Sequence, residues 1–119
     1  MSIESSQSEL ELYRQWMGKI TQVCESIALG DLEARLIGAP EDPALHATVV
    51  AINRMLDQTD AFVREARVSL DCASKGRFHR RFLLRGMKGS FRLGAQMINR
   101  ATYEMERQSQ AIQQADSER

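Results

Sequence analysis

Residues 43–74 read PALHATVVAINRMLDQTDAFVREARVSLDCAS, with no glycine and no proline after the first position. Apolar or small residues recur here at alternating steps of four and three: Leu45, Val49, Ile52, Leu56, Thr59, Val63, Ala66, Leu70 and Ala73. That period is typical of a helix that packs against other helices. Pro43 suits a first helical turn, and Asp42 is a candidate N-cap. The stretch predicts one helix from about Pro43 to Ser74, roughly 48 Å long.

Two shorter stretches with the same period lie on either side. The earlier one ends before Gly30, a candidate helix C-cap, and consists of Leu10, Tyr13, Met17, Ile20, Cys24 and Ile27. The later one has Ser90 as a candidate N-cap and contains Phe91, Ala95, Ile98, Thr102 and Met105. Because Cys24 lies on the earlier seam, we expect it to be a small buried side chain. The three stretches predict an all-α chain.

The composition is that of a soluble globular protein. Of the 119 residues, 43% are hydrophobic, 27% are charged and two are proline, whereas an all-β chain needs frequent turn residues. No apolar run approaches the roughly 18 residues of a membrane span, and no secretory signal opens the chain. We therefore expect a cytoplasmic protein. Cys24 and Cys72 form no CxxC pair, which fits reduced thiols.

No motif for catalysis, metal binding or cofactor binding stands out. His46 and His79 form no HExxH pattern, and the glycines at residues 86–90 are too few and too close for a phosphate-binding loop. We expect a protein that is not an enzyme, with no cofactor, metal or small-molecule substrate. A helical bundle that senses a bound metabolite or chromophore stays open as a further hypothesis.

A duplication at an offset of 46 residues organises the chain. It aligns Gly30-Asp31-Leu32 with Gly76-Arg77-Phe78, Arg35-Leu36 with Arg81-Phe82, and Ile52-Asn53-Arg54 with Ile98-Asn99-Arg100. The glycine and the asparagine are 23 residues apart in both copies. Shared spacing with matched residue types indicates a repeat more strongly than one motif does. Each copy is predicted as helix, glycine stop, connector and helix, and the middle helix belongs to both copies.

Each copy needs a partner, because two helices with a narrow apolar seam cannot close a hydrophobic core alone. A symmetric homodimer supplies four helices per layer, which is a common closed arrangement. The connector at residues 31–44 spans up to roughly 46 Å when extended. That length lets the second helix start parallel to the first. The apolar connector residues favour the parallel order, but the pattern alone leaves the antiparallel order open.

Large apolar residues in the connectors indicate that each connector packs on its helices: Leu32, Leu36 and Ile37 in the first, and Phe78, Phe82, Leu83 and Leu84 in the second. Asn53 and Asn99 each follow a seam residue, so their amides can hydrogen-bond the connector backbone, with ordinary exposure as the alternative. Trp16 aligns with Phe62, and we expect it to pack. The predicted connector and packing determinants are Gly30, Leu32, Leu36, Ile52, Asn53, Gly76, Phe78, Phe82, Ile98 and Asn99.

These motifs resemble the HAMP family, which links sensor modules to outputs in bacterial receptors, histidine kinases and nucleotide cyclases. Gly30-Asp31-Leu32 resembles the start of the family's connector, and Ile52-Asn53-Arg54-Met55 resembles its second-helix motif. The second copy matches in part and is similar to divergent HAMP units of soluble chemoreceptor-like proteins. It departs from the family pattern where Arg77 replaces an acid, and both copies lack the glutamate that opens the second helix, at Ala44 and Ser90.

The resemblance implies tandem HAMP-like units at residues 10–58 and 59–110, with frayed or linking ends at 1–9 and 111–119. It implies a parallel four-helix coiled coil, formed by a homodimer between sensor and output domains, as in methyl-accepting chemotaxis proteins. The implied function is an intracellular signal relay that switches between two helix packings. Small seam residues such as Ala66 are expected to bring these packings close in energy.

An uneven charge distribution supports an alternative function. Residues 1–60 carry a net charge of −6 and residues 61–119 a net charge of +6, although the total is zero. Seven basic and no acidic residues lie between Lys75 and Arg92, which suits a nucleic-acid or anionic-partner surface. The candidate patch consists of Arg77, Arg80, Arg81, Arg85, Lys88 and Arg92. Nucleic acid is the less favoured partner, because the acidic half repels phosphate.

Overall fold

The computed structural model describes residues 3–118 and contains three α-helices: α1 (Ile3–Ala28), α2 (Pro43–Ser74) and α3 (Gly89–Ser117). Within these residues there is no β-strand, so the all-helical prediction is confirmed. Connector 1 (residues 29–42) joins α1 to α2, and connector 2 (residues 75–88) joins α2 to α3. The end of α1 and the start of α2 recur 46 residues later at the end of α2 and the start of α3.

Helix α2 begins and continues as its sequence predicts. The Asp42 carboxylate accepts a hydrogen bond from the Leu45 backbone N–H at 3.0 Å, and the Asp42 carbonyl accepts one from His46 N–H at 2.8 Å. Asp42 therefore satisfies N–H groups that have no partner inside the helix. Helix α2 is unbroken over 32 residues, as expected for a segment without internal proline or glycine.

Glycine ends α1 and α2 in the same way. Gly30 has φ of 98° and Gly76 has φ of 78°, a left-handed conformation that glycine adopts without steric penalty. After Gly30, the Asp31 N–H donates to the Ser26 carbonyl at 3.0 Å, and after Gly76 the Arg77 N–H donates to the Cys72 carbonyl at 2.8 Å. Both ends are Schellman motifs, which satisfy carbonyls of the last helical turn.

The structure differs from the sequence-based expectation at three helix ends. Lys88, and not Ser90, is the N-cap of α3, and its side chain makes no capping hydrogen bond. Helix α1 already includes residues 3–9, and α3 extends through residues 111–117, although these ranges were expected to be frayed or linking. Both ranges lack glycine and proline, so nothing in them interrupts a helix.

The chain divides between Asp60 and Ala61 into two compact units. In unit 1, the buried core side chains are Trp16, Leu36, Leu45 and Val49, with Ile20, Val23 and Ile52 packed against them. One core residue thus comes from α1, one from connector 1 and two from α2. The prediction that Trp16 packs in the interior is confirmed.

In unit 2, the core is built around aromatic rings. Phe82, Met87 and Ala95 are buried, with Phe62, Ala66, Leu84, Phe91 and Ile98 packed against them. The Phe62 ring centroid lies 5.3 Å from that of Phe82 and 5.7 Å from that of Phe91, in tilted pairs. Phe62 and Phe82 occupy the positions of Trp16 and Leu36 in unit 1, so the repeat places equivalent residues in both cores.

Several heptad positions stay exposed in the single chain. Leu10 and Met17 of α1 are 51% and 57% exposed, and Cys24, seven residues further on, is also exposed. Leu70 and Met105 are exposed as well. The prediction that Cys24 is buried is therefore wrong for the single chain. Cys24 shares a row on α1 with Leu10 and Met17, each seven residues apart. This row lies beside the face of α1 that carries Trp16, and that face packs on α2.

Candidate functional site

The contact between connector and following helix centres on an asparagine in unit 1. Asn53 of α2 accepts a hydrogen bond from the Leu36 backbone N–H at its Oδ1, at 2.9 Å. Its Nδ2 donates to the Leu36 carbonyl, also at 2.9 Å. One side chain thus satisfies both backbone polar groups of a connector residue whose own side chain is buried in the core.

Asn99 makes the same two bonds in unit 2. Its Oδ1 accepts from the Phe82 N–H at 2.7 Å, and its Nδ2 donates to the Phe82 carbonyl at 3.0 Å. Phe82 is the equivalent of Leu36 and is 2% exposed. The structure thus brings four of the predicted determinants together in two matching pairs, one pair per unit.

An arginine folds each connector onto itself. Arg35 donates from Nη1 to the Leu32 carbonyl at 2.6 Å, and Arg81 donates from Nε to the Phe78 carbonyl at 2.6 Å. Arg35 also forms an ion pair with Asp57 of α2, Nε to Oδ1 at 3.0 Å. These two arginines close turns next to the glycine stops. Leu32 and Phe78 are half-buried beneath the turns.

Both arginines also reach an acid on the following helix. The Arg35 Nη2 lies 4.0 Å from the Asp60 carboxylate, and the Arg81 Nη2 lies 3.5 Å from the Glu106 carboxylate. Asp60 and Glu106 are 46 residues apart. This repeated ion pair was not anticipated, because an aspartate and a glutamate do not align as identical residues.

Not every apolar connector residue packs inward. Ile37 is 83% exposed, and Leu83 is also exposed, although both were expected to hold their connector on the bundle. The physical reason is alternation: each directly follows a buried residue, Leu36 or Phe82, and successive side chains of extended backbone point to opposite sides. Leu84 is half-buried against the unit 2 core.

Tyr13 and Asp42 connect the first half of α1 to the start of α2. The Tyr13 hydroxyl donates to Asp42 Oδ2 at 2.7 Å. This hydrogen bond, together with the Leu45 backbone N–H, lowers the pKa of Asp42 below its ordinary value, and the same hydrogen bond raises the pKa of Tyr13. Asp42 therefore caps α2 and binds α1 with the same carboxylate oxygen.

Glu65 of α2 binds connector 2 through a side chain and through the backbone. Arg80 donates from Nη1 to Oε1 at 2.6 Å and from Nη2 to Oε2 at 3.1 Å, and the Leu83 N–H donates to Oε1 at 3.1 Å. The hydrogen bond from Arg80 is the main reason that the pKa of Glu65 is lowered, with the Leu83 N–H contributing less. The sequence pattern gave no indication of this contact.

The predicted basic patch is not one uniform surface. Arg80 and Arg81 are used inside unit 2, by Glu65 and by the connector and α3, as described above. Arg92 donates to the Leu84 carbonyl at 3.4 Å. The other three members are exposed and form no ion pair within residues 3–118: Arg77, Arg85 and Lys88. Three of the six basic residues are therefore engaged within unit 2, which weakens the case for an anion-binding surface.

Other kinds of site find no support in the described chain. Among residues 3–118, no three His, Cys, Asp or Glu side chains come together in a way that could hold a metal ion. None of the helices over the same residues is both long and apolar enough to cross a membrane.

Sequence comparison finds a similarity to a chemoreceptor. Over 79 residues, which are 66% of this chain, it is 39% identical to a methyl-accepting chemotaxis protein of Paramagnetospirillum magneticum. The matched region is 18% of that relative's length, so this chain corresponds to under one fifth of it. No family model matches the chain, and no solved structure matches it significantly. The chain is therefore similar in sequence to a chemoreceptor and, over residues 3–118, all-helical.

Proposed function

We propose that this chain is a signal-relay segment of a chemoreceptor-like protein, built from two HAMP-like units that share α2. The observation that carries the proposal is the repeated connector geometry, in which Asn53 and Asn99 each hold the backbone of a buried connector residue. The similarity to a methyl-accepting chemotaxis protein supports the receptor context. The segment acts in the cytoplasm through packing alone, with no catalytic step of its own.

Parallel order of the helices in unit 1 is supported by the bond between Tyr13 and Asp42. Tyr13 lies 15 residues before the end of α1, whereas Asp42 directly precedes α2. In an antiparallel pair, the start of α2 would lie beside the end of α1. Connector 1 instead runs back along α1, as a chain of 14 residues easily does.

A homodimer is supported by the rows of exposed apolar residues. Leu10, Met17 and Cys24 are spaced by seven residues on α1, and all three are exposed. Met105 and Ile112 continue a second such row from Ile98 on α3. Because a heptad row beside a packed row is the usual contact between chains of a coiled coil, a second copy is the natural cover for these rows.

The relay mechanism follows from the shared helix. Residues Leu45 and Val49 of α2 belong to the unit 1 core, whereas Phe62 and Ala66 of the same helix pack in unit 2. A rotation or shift of α2 therefore changes the packing of both units. An input that favours one packing in unit 1 shifts the population of packings in unit 2.

The first test is the mass in solution combined with crosslinking through the native Cys24, in a Cys72→Ser background. We expect twice the chain mass of 13.5 kDa and a disulfide between equivalent Cys24 residues under mild oxidation. In a background with both native cysteines replaced by serine, Met17→Cys should crosslink likewise, whereas Ile37→Cys, on the exposed connector, should not. A monomer at micromolar concentration, or crosslinking at Ile37→Cys alone, would contradict the dimer.

The second test concerns relay. The segment is placed between a sensor and an output of known activity, and Ala66→Leu is compared with Ala61→Leu on the exposed side of α2. Because Ala66 packs against the unit 2 core, the larger side chain forces a repacking there and should fix the output in one state. An output that still responds to stimulus in the Ala66→Leu chimera would contradict the relay.

A further inference from the structure

Connector 2 is attached to α2 near the middle of the connector, through Arg80 and Leu83. The Glu65 carboxylate accepts two hydrogen bonds from the Arg80 guanidinium and one from the Leu83 backbone N–H. The Glu65 and Arg80 side chains are 19% and 33% exposed. The ion pair between Asp71 of the same helix and Lys75, the first residue of connector 2, has side chains 58% and 57% exposed. The Glu65 contact is therefore better shielded and geometrically more restricted than a surface ion pair.

The same point of connector 2 is also attached to α3. Asn99 binds the backbone of Phe82, and Glu65 binds the backbone N–H of the next residue, Leu83. Two consecutive connector residues are thus held by side chains from two different helices. Connector 2 forms a polar bridge from α2 to α3 at this point.

Within the described residues of unit 1 there is no equivalent of this bridge. The positions of Glu65 and Arg80 correspond to Lys19 and Ala34, which cannot form the ion pair, and the Lys19 ammonium lies 4.3 Å from the Trp16 ring centroid. Unit 1 has a different attachment, from Tyr13 to Asp42 at the end of connector 1. The residues 46 positions later are Thr59 and Lys88, which lack the phenol and the carboxylate.

We infer that Glu65, Arg80 and the Leu83 N–H form a clamp through which connector 2 follows the movement of α2 and passes it to α3. The inference rests on the proposed relay function and names the contact that carries the signal within unit 2. Because Glu65 projects from α2, a rotation of α2 displaces its carboxylate. The hydrogen bonds from Arg80 and from the Leu83 N–H then move connector 2 with the carboxylate. Leu83 directly follows Phe82, the residue that Asn99 of α3 holds. Glu65 and Arg80 are positioning residues in this scheme.

The test uses amide exchange measured by NMR on the full chain, with a clampless variant, Glu65→Ala with Arg80→Gln. Removing both partners avoids leaving an unpaired charge. The matched control is Asp71→Ala with Lys75→Gln, which removes the exposed ion pair. We expect the Leu83 N–H to exchange about tenfold faster in the clampless variant and to be unchanged in the control.

Transmission is then measured at Phe82, whose N–H keeps its Asn99 acceptor in every variant. Asn53→Ala loosens unit 1, and we expect it to accelerate Phe82 exchange by about threefold or more in the clamped chain. In the clampless chain the same change should leave Phe82 exchange unaltered. An equal response in both backgrounds, or a response in neither, overturns the clamp as the transmitting contact.

The test of the proposed function is independent of the test of the clamp. The dimer mass and the Cys24 crosslink do not involve the clamp residues. If the unaltered chain shows neither of them, the proposed function is overturned, whatever the exchange rate at Phe82. If the crosslink forms and Phe82 exchange does not distinguish the two backgrounds, only the clamp is overturned. Should the clampless variant unfold, Glu65→Met with Arg80→Gln replaces it, since methionine keeps an unbranched side chain in the helix and has no carboxylate to bind Arg80 or the Leu83 N–H.

Discussion

The side chain of Asn53 hydrogen-bonds both the N–H and the carbonyl of Leu36, 17 residues earlier in the chain, each at 2.9 Å. Asn99 and Phe82 repeat the arrangement at the same separation of 17 residues. A connector has no neighbouring strand, so a buried connector residue needs another partner for its backbone. A carboxamide supplies a donor and an acceptor at once, which aspartate and leucine cannot do.

Asn53→Ala should lower the free energy of unfolding of unit 1 by about 2 kcal/mol, because two backbone groups next to a buried side chain lose their partner. Urea unfolding followed by fluorescence of Trp16, the only tryptophan, reports this loss in unit 1. Gln58→Ala, an exposed change five residues further along α2, is the control and should cost less than about 0.5 kcal/mol. Equal losses for the two variants, measured at the same protein concentration, would mean that the Asn53 bonds contribute nothing special.

The glycines that end the helices should tolerate substitution much less well than a helical glycine. Gly76→Ala forces alanine to φ of 78° and should cost about 1 kcal/mol or more. Gly18 lies inside α1 with open space around it, so Gly18→Ala should stabilise the chain by about 0.5–1 kcal/mol. Thermal unfolding midpoints of the two variants should therefore move in opposite directions from that of the unaltered chain. A rise in both would show that the end of α2 does not need the left-handed conformation.

The sequence predicted those features that the repeat and the helical period encode together. The extent of α2 follows from an apolar period without glycine or proline. Asn53 and Asn99 stand out because each follows a seam residue and both recur at the same distance from a glycine. The pairing of Trp16 with Phe62 also follows from the offset, since a core position must be large and apolar in both copies.

Other features could not be predicted, for different physical reasons. Glu65 has no acidic equivalent in unit 1, so the repeat does not mark it, and its partner Arg80 lies in a basic run that reads as a surface. The exposure of Cys24 depends on whether a second chain covers its row, which the apolar period does not reveal. The cap of α3 at Lys88 lacks a capping side chain, so no residue type marks that boundary.

Gly38 should prove important for the packing of Trp16, although no pattern marks it. Gly38 has φ of 113°, and a Cβ at this position would lie 3.2 Å from the Cη2 atom of Trp16. Gly38→Ala therefore combines backbone strain with a contact against a buried ring and should destabilise unit 1 by at least about 1 kcal/mol. The Trp16 emission should shift to longer wavelength as the ring gains exposure to water. An unchanged emission maximum and unfolding midpoint would contradict the close approach of connector 1 to the ring.

Acid should weaken unit 2 through Glu65. Its pKa in the folded chain lies below the ordinary value of 4.5, mainly because Arg80 donates to the carboxylate. A lowered folded pKa means that the charged form contributes stability above the unfolded pKa, and that this contribution is lost as pH falls through the folded pKa. The unfolding midpoint should therefore drop as pH is lowered from 7 to below the ordinary glutamate value.

Glu65→Gln isolates this carboxylate from the others, since glutamine does not titrate. The midpoint of the unaltered chain should exceed that of Glu65→Gln near pH 7, and the difference should shrink as pH falls below about 4.5. A difference that stays constant with pH would show that the Glu65 charge contributes nothing to the stability of unit 2.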